Sequence, residues 1–152
     1  MLAEQTALLF TFDNVRVDRG GADGYYAILL GVVGDFTITI AGKTLYAEEK
    51  FCLAEFAAEL AARWQCTTLV PCDFSYESLG SDGVGLVWIR AREGYWQIGG
   101  LNQEYEEEQT FPLEAIGEAI RGYVADLHHV LATRFALDLS AFIRLHMERY
   151  PV

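Results

Sequence analysis

The chain reads as an α+β protein, an antiparallel sheet of meander hairpins with two or three helices packed on one face. Three observations predict this. Two stretches, 36–47 and 86–101, alternate apolar and polar residues on either side of a two-residue turn, as half-buried antiparallel strands do. Two others, 53–64 and 113–135, repeat apolar residues at three- and four-residue steps, as amphipathic helices do. The succession is strands, helix, strands, helices, for which a helical layer over one side of an antiparallel sheet is the economical solution. At 152 residues and 52% apolar, a single domain over residues 1–152 with a sizeable core is expected.

The first hairpin places Phe36, Ile38 and Ile40 against threonines 37 and 39, with Ala41-Gly42 as the turn. In the simplest register Ile38 faces Leu45, Phe36 faces Ala47 and Thr39 faces Thr44, because a one-residue slip would mix the apolar and polar faces. A helix is expected from about Phe51, with Leu53, Phe56, Ala57, Leu60, Ala61 and Trp64 on one stripe. Glu55, Glu59 and Arg63 fall off the stripe, and Glu59 to Arg63 is an i,i+4 pair in the favourable order. Burying Leu53, Phe56, Leu60 and Trp64 is worth roughly 6–12 kcal/mol, at about 1.5–3 kcal/mol each.

Upstream, Ala7 to Phe12 reads as a strand with Leu8, Phe10 and Phe12 on one face, continued by Val15 and Val17. Asp18 to Gly24 is a glycine-rich loop. Tyr25 to Val33 is apolar throughout and reads as a central strand, with Gly31 and Gly34 as bends or bulges. Between the first helix and the second hairpin, Gln65 to Gly85 is an irregular insertion holding a short strand at Phe74–Glu77. In the second hairpin, with Glu93-Gly94 as the turn, Ala91 faces Trp96, Ile89 faces Ile98 and Val87 faces Gly100 on the core side. Arg92 faces Tyr95, Arg90 faces Gln97 and Trp88 faces Gly99 on the outer side, an aromatic covering a cross-strand glycine. A long helix begins near Pro112, whose imide suits a first helical turn. Asp138 caps a last helix carrying Leu139, Phe142, Ile143 and His146.

The charge is −11, from 22 acids against 11 bases, with a sequence pI near 4.6. That field repels nucleic acid and favours a basic protein partner; acidity also serves solubility alone. Cys52, Cys66 and Cys72 are odd in number and lack metal-ligand spacing, so reduced thiols in a cytoplasmic protein are expected. No basic residue precedes Arg16, and the longest apolar run is nine residues, so neither a secretion signal nor a membrane span is expected.

No catalytic constellation emerges. His128, His129 and His146 form no i,i+4 pair, and packing at a helix edge is their default role. There is no GxSxG, and Gly83–Gly85 lacks phosphate-loop spacing. Asp73, Glu77 and Asp82 lie in the irregular segment with nothing in the sequence to make them converge. No cofactor or metal is expected. Two surface features remain as partner-binding candidates. One is the acidic run Glu104, Glu106, Glu107 and Glu108, ordinarily a solvated loop. The other is the outer hairpin face of Trp88, Arg90, Arg92 and Tyr95, residue types enriched at interface hot spots. Intramolecular stacking of Arg is the competing use of that face.

A hairpin running into an amphipathic helix that ends in Trp (Leu53 to Trp64), then a Trp-bearing hairpin (Leu86 to Leu101) and a C-terminal helix from Pro112, resembles small uncharacterised and immunity-protein-like bacterial families. The likeness is one of pattern, over about two thirds of the chain, and carries no diagnostic motif. It implies a non-catalytic acidic protein that neutralises a toxin, often a nuclease, by charge complementarity. The alternatives are a small-molecule-binding or enzymatic domain with a pocket under the 65–85 segment, and a homodimer formed through the Trp88 face.

Overall fold

The computed structural model describes residues 7–18, 24–64, 73–78 and 86–149. In chain order the elements are β1 (Leu8–Val17), α1 (Gly24–Gly31), β2 (Val32–Ile40), β3 (Lys43–Cys52), α2 (Leu53–Glu59) continued by a π-helical turn (Leu60–Trp64), β4 (Phe74–Tyr76), β5 (Val87–Arg92), β6 (Tyr95–Gly100), β7 (Thr110–Phe111), α3 (Leu113–Phe135) and α4 (Leu139–Arg149). The class is α+β, and every strand pairing is antiparallel. The strands divide between two meander sheets, β1-β2-β3 and β4-β5-β6-β7.

Alternation along β2 buries Phe36, Ile38 and Ile40, and β1 adds Leu8 and Phe10 opposite Ile40 and Ile38. On that floor sits an aromatic nucleus. Phe36 stacks on Phe51 at 4.5 Å and meets Phe56 and Tyr123 edge-on at 5.2 and 5.6 Å. Phe56 also touches Tyr76 of β4 at 5.0 Å. One cluster therefore joins the first sheet, α2, α3 and the second sheet. The two sheets also meet where Tyr46 lies against Gly100. A Cβ there would stand 2.4 Å from the Tyr46 ring, so only glycine admits it. The Glu104 amide adds a hydrogen bond to the Leu45 carbonyl at 2.7 Å.

The second hairpin has the expected register at all six pairs from Val87↔Gly100 to Arg92↔Tyr95. Trp88 does lie over Gly99: a Cβ there would come within 2.2 Å of the indole. Asp138 caps α4, its Oδ1 accepting from the Ala141 amide at 3.1 Å, and α3 begins right after Pro112.

Four expectations are corrected. Tyr25 to Val33 is not a central strand; residues 24–31 form α1, and β2 starts at Val32. A short run that is apolar on every side suits a buried helix as well as a buried strand. Packing decided it: α1 fills the space beside α2 and α4, with Tyr25 stacked on Phe142 at 5.5 Å. Helix α2 starts at Leu53, because β3 runs on through Phe51, whose ring is committed to Phe36. The first hairpin keeps Thr39↔Thr44 but then shifts, pairing Ile38 with Tyr46 and Thr37 with Ala47. This bulge buries both Leu45 and Tyr46, which strict alternation cannot do. Glu55 is buried rather than on the surface, because α2 is covered on nearly every side. Cys66, Cys72, Asp82 and Gly83–Gly85 lie outside the described residues.

Two variants test this packing by urea titration. Phe56→Ala removes the shared ring and is expected to cost about 3–5 kcal/mol. Gly99→Ala forces Trp88 off its strand and is expected to cost about 1–3 kcal/mol; a neutral result would mean that the indole is not seated there.

Candidate functional site

The acidic run forms a strap, residues 102–109, that crosses from β6 to β7. Main-chain groups hold it. The Gln97 side-chain amide donates to the Glu107 carbonyl at 2.7 Å, and that of Gln103 donates to the Tyr105 carbonyl at 2.8 Å. The Gln103 Oε1 accepts from the Gly100 amide at 2.9 Å. Lys43 sits over the Tyr105 ring at 3.9 Å. The strap's backbone is thereby placed while Glu104, Glu106 and Glu108 stay exposed. None of the three forms an ion pair among the described residues. Glu107 is half-buried, and its Oε1 accepts from the Gln109 amide at 2.8 Å.

Strap and hairpin converge. Trp88, Arg90 and Glu106 line one polar cleft of about 390 Å³ together with Gln97, Asn102 and Gln103. The hairpin face is not wholly open, however. The Arg90 guanidinium stacks on Trp88 at 3.9 Å and Gly99 backs the indole, which is half-buried. Arg92 and Tyr95 flank the turn at the far end of the hairpin and do not line this cleft. Arg92 donates to the neighbouring Ala91 carbonyl, and Tyr95 is 53% exposed.

Two polar clusters in the interior were not anticipated. His146 is buried, and it bridges Tyr25 Oη at 2.6 Å through Nδ1 and Glu59 Oε2 at 2.9 Å through Nε2. An ionised Glu59 only accepts, which places an imidazole proton on Nε2; in the neutral ring Nδ1 then accepts from the Tyr25 hydroxyl. Arg63 holds the other Glu59 oxygen at 3.2 Å, the expected i,i+4 pair, and donates to the Ser75 carbonyl at 3.0 Å. Burial alone would raise the Glu59 carboxyl; the His146 and Arg63 hydrogen bonds outweigh it and hold the group below its usual range. The order carboxylate–imidazole–hydroxyl suits proton relay. Here, though, the phenol is wedged against Phe142 with Arg149 over its ring at 4.4 Å. The arrangement fastens α4 to α1 and α2. The one available signal was a histidine on an otherwise apolar helix stripe.

The second cluster surrounds Cys52. Tyr76 donates to the buried Glu55 carboxylate at 2.6 Å. Burial, and to a lesser degree Glu55, pushes the Cys52 thiol up, against a lowering hydrogen bond with Ser78. A raised thiol is the opposite of an activated nucleophile. Asp73 and Glu77 flank β4 and are exposed, with Asp73 Oδ1 accepting from the Ala91 amide at 3.0 Å; they do not converge. Among the described residues no group of three His, Cys, Asp or Glu is placed to hold a metal ion. No described helix is long and apolar enough to cross a membrane.

Loss of the relay predicts a pH signature. Because the Glu59 carboxyl is lowered on folding, its contribution to stability is complete above the ordinary glutamate value of about 4.3. It disappears as pH falls through the lowered value. Glu59→Gln should therefore flatten the stability profile between the ordinary value and the lowered one. His146→Ala, which strands Tyr25 and Glu59, should cost about 1–3 kcal/mol at neutral pH. Denaturant melts from pH 7 downward check both.

Residues 8–133 match the model of a family described as "Domain of unknown function (DUF7878)". The match covers well over half of the chain, and the chain belongs to that family; α4 with its His146 lies beyond the matched stretch. No curated protein and no solved structure matches.

Proposed function

We propose that this DUF7878 domain is a non-catalytic protein-binding module that docks a basic partner on its strap and the adjoining hairpin face. The finer reading is an immunity-type inhibitor, an acidic protein that occludes a basic toxin or nuclease. One observation carries the proposal: the strap is pinned through its backbone while the Glu104, Glu106 and Glu108 carboxylates remain exposed and without ion pairs among the described residues. Ordering a loop and desolvating its charges both weigh against binding. Here the ordering is done before the partner arrives. The wider charge supports the same reading. From Glu104 to Glu118 the chain holds six acids and no Lys or Arg, and Glu114 and Glu118 at the start of α3 are exposed. Such a field speeds encounter with a basic surface and disfavours acidic ones. The Cys52 and His146 clusters, occupied with internal hydrogen bonds, supply no activated nucleophile to a competing catalytic reading.

The test is capture of a basic protein from host lysate by the immobilised domain. The control carries Glu104→Lys, Glu106→Lys and Glu108→Lys, three exposed positions whose reversal should leave the melting temperature within a few degrees. Reversal is expected to weaken capture by about tenfold or more, equivalent to about 1.4 kcal/mol. Raising salt from about 0.1 to 1 M, which shortens the Debye length from about 10 to 3 Å, should do the same to the unmodified domain. Capture indifferent to both would remove the electrostatic basis of the proposal.

A further inference from the structure

On the helical side of the molecule, a groove of about 760 Å³ runs between the π-helical turn and α3. Its size falls within the range of small-molecule sites. Leu60 and Trp64 form one wall; Leu113, Ile120 and Val124 form the other. Most of its lining is apolar, and Leu113 is 42% exposed at one end. Glu114, His128 and Ser140 add polar groups to the lining, and two residues at mid-groove set its chemistry. Gly117 has no side chain to fill the slot at mid-groove. The Arg121 guanidinium lies back across it, with Nη1 3.1 Å from where a Gly117 Cβ would stand. Arg121 makes no ion pair, hydrogen bond or ring contact among the described residues. Glu114, the carboxylate on the same lining, is seven residues earlier on the helix, about 10 Å along its axis, and does not pair with it.

We infer that this groove binds an amphiphilic carboxylate, a small molecule with an alkyl or aryl body and one carboxyl group. The body replaces water against Trp64, Leu60, Ile120 and Val124, where burial of apolar surface is favourable at roughly 25 cal/mol per Å². The carboxylate meets Arg121, whose planar fork takes it through two parallel N–H···O bonds. A guanidinium with no partner among the described residues, bordered by apolar walls, selects an anionic head over a neutral one. On a chain of charge −11 the anion needs that local cation, because the global field opposes it. The strap lies elsewhere on the fold, and its residues line a different cleft, so this site stands independently of the protein-binding reading.

The experiment is a titration of the folded domain with dodecanoate, dodecan-1-ol and dodecyltrimethylammonium, the two ions below their micellar concentrations and the alcohol below its solubility limit. It is followed by amide and indole NMR shifts at Gly117 and Trp64. Dodecanoate is expected to shift both signals and to bind at least about tenfold more tightly than the alcohol, the margin of a charge-assisted pair over a neutral one. Arg121→Gln should abolish that preference, weakening dodecanoate far more than the alcohol. Gly117→Leu should eliminate binding of both while keeping the fold, because the nearest atom to the added Cβ is the free end of a flexible side chain and glycine is the poorer helix former. Equal affinity for acid and alcohol, retention of the preference in Arg121→Gln, or the absence of shifts at Gly117 and Trp64 would each overturn the inference. So would tighter binding of the ammonium, which would assign the groove to cations through Glu114.

Discussion

Phe56 is fully buried, and its ring touches groups from four directions: Phe10 and Phe36 below, Phe51 at the strand end, Tyr76 from the second sheet and Tyr123 from α3. Helix α2 therefore works as an axle rather than as a surface layer. It is too short to stand alone in water, and it is covered so completely that its polar groups must be satisfied inside the protein. The fully buried Tyr123 hydroxyl donates to the Leu53 carbonyl at 2.7 Å, and Tyr76 donates to Glu55 at 2.6 Å. Tyr76 and Tyr123, which pack against the axle, thus each bring a donor for one of its acceptors as well. That double use explains why the nucleus holds tyrosines as well as phenylalanines.

The same accounting separates inner acids from outer ones. Glu55 and Glu59, both on α2, are tied to hydroxyl, imidazole or guanidinium partners, since a buried carboxylate without partners is strongly destabilising. The strap acids face water, which solvates them at little cost. Their mutual repulsion is tolerable because the strap is held by Gln97, Gln103 and the Leu45 carbonyl rather than by the exposed carboxylates. The two α2 carboxylates are thus spent on internal contacts. The exposed charge of the strap lies over the second sheet. The apolar groove with its single guanidinium is a third environment, on a face that neither set of acids controls.

Legibility followed the range of the interactions. Trp88 over Gly99 could be read because a two-residue turn and strict alternation fix partners a few residues apart. The Glu59–Arg63 pair and the Asp138 cap are likewise local. The first hairpin was legible only near its turn. Beyond Thr39↔Thr44 the strand bulges so that Leu45 and Tyr46 both go inward, a choice made by the second sheet, which needs Tyr46 against Gly100. The relay was invisible because Tyr25 and His146 are 121 residues apart. The groove was invisible because its two walls belong to helices that the chain joins only through the second sheet.

Alternation, helical periodicity, turn glycines and the excess of acids determined the α+β class, both hairpins, the long helix and an acidic surface, because each is a property of neighbouring residues. Tertiary structure decided the rest. It made a helix of an apolar run that suited either state, placed α2 at the centre rather than at an edge, and brought Arg90, Trp88 and Glu106 into one cleft. These outcomes depend on which distant surfaces are available to bury a segment, and free energy of that kind resides in pairs of elements rather than in either one.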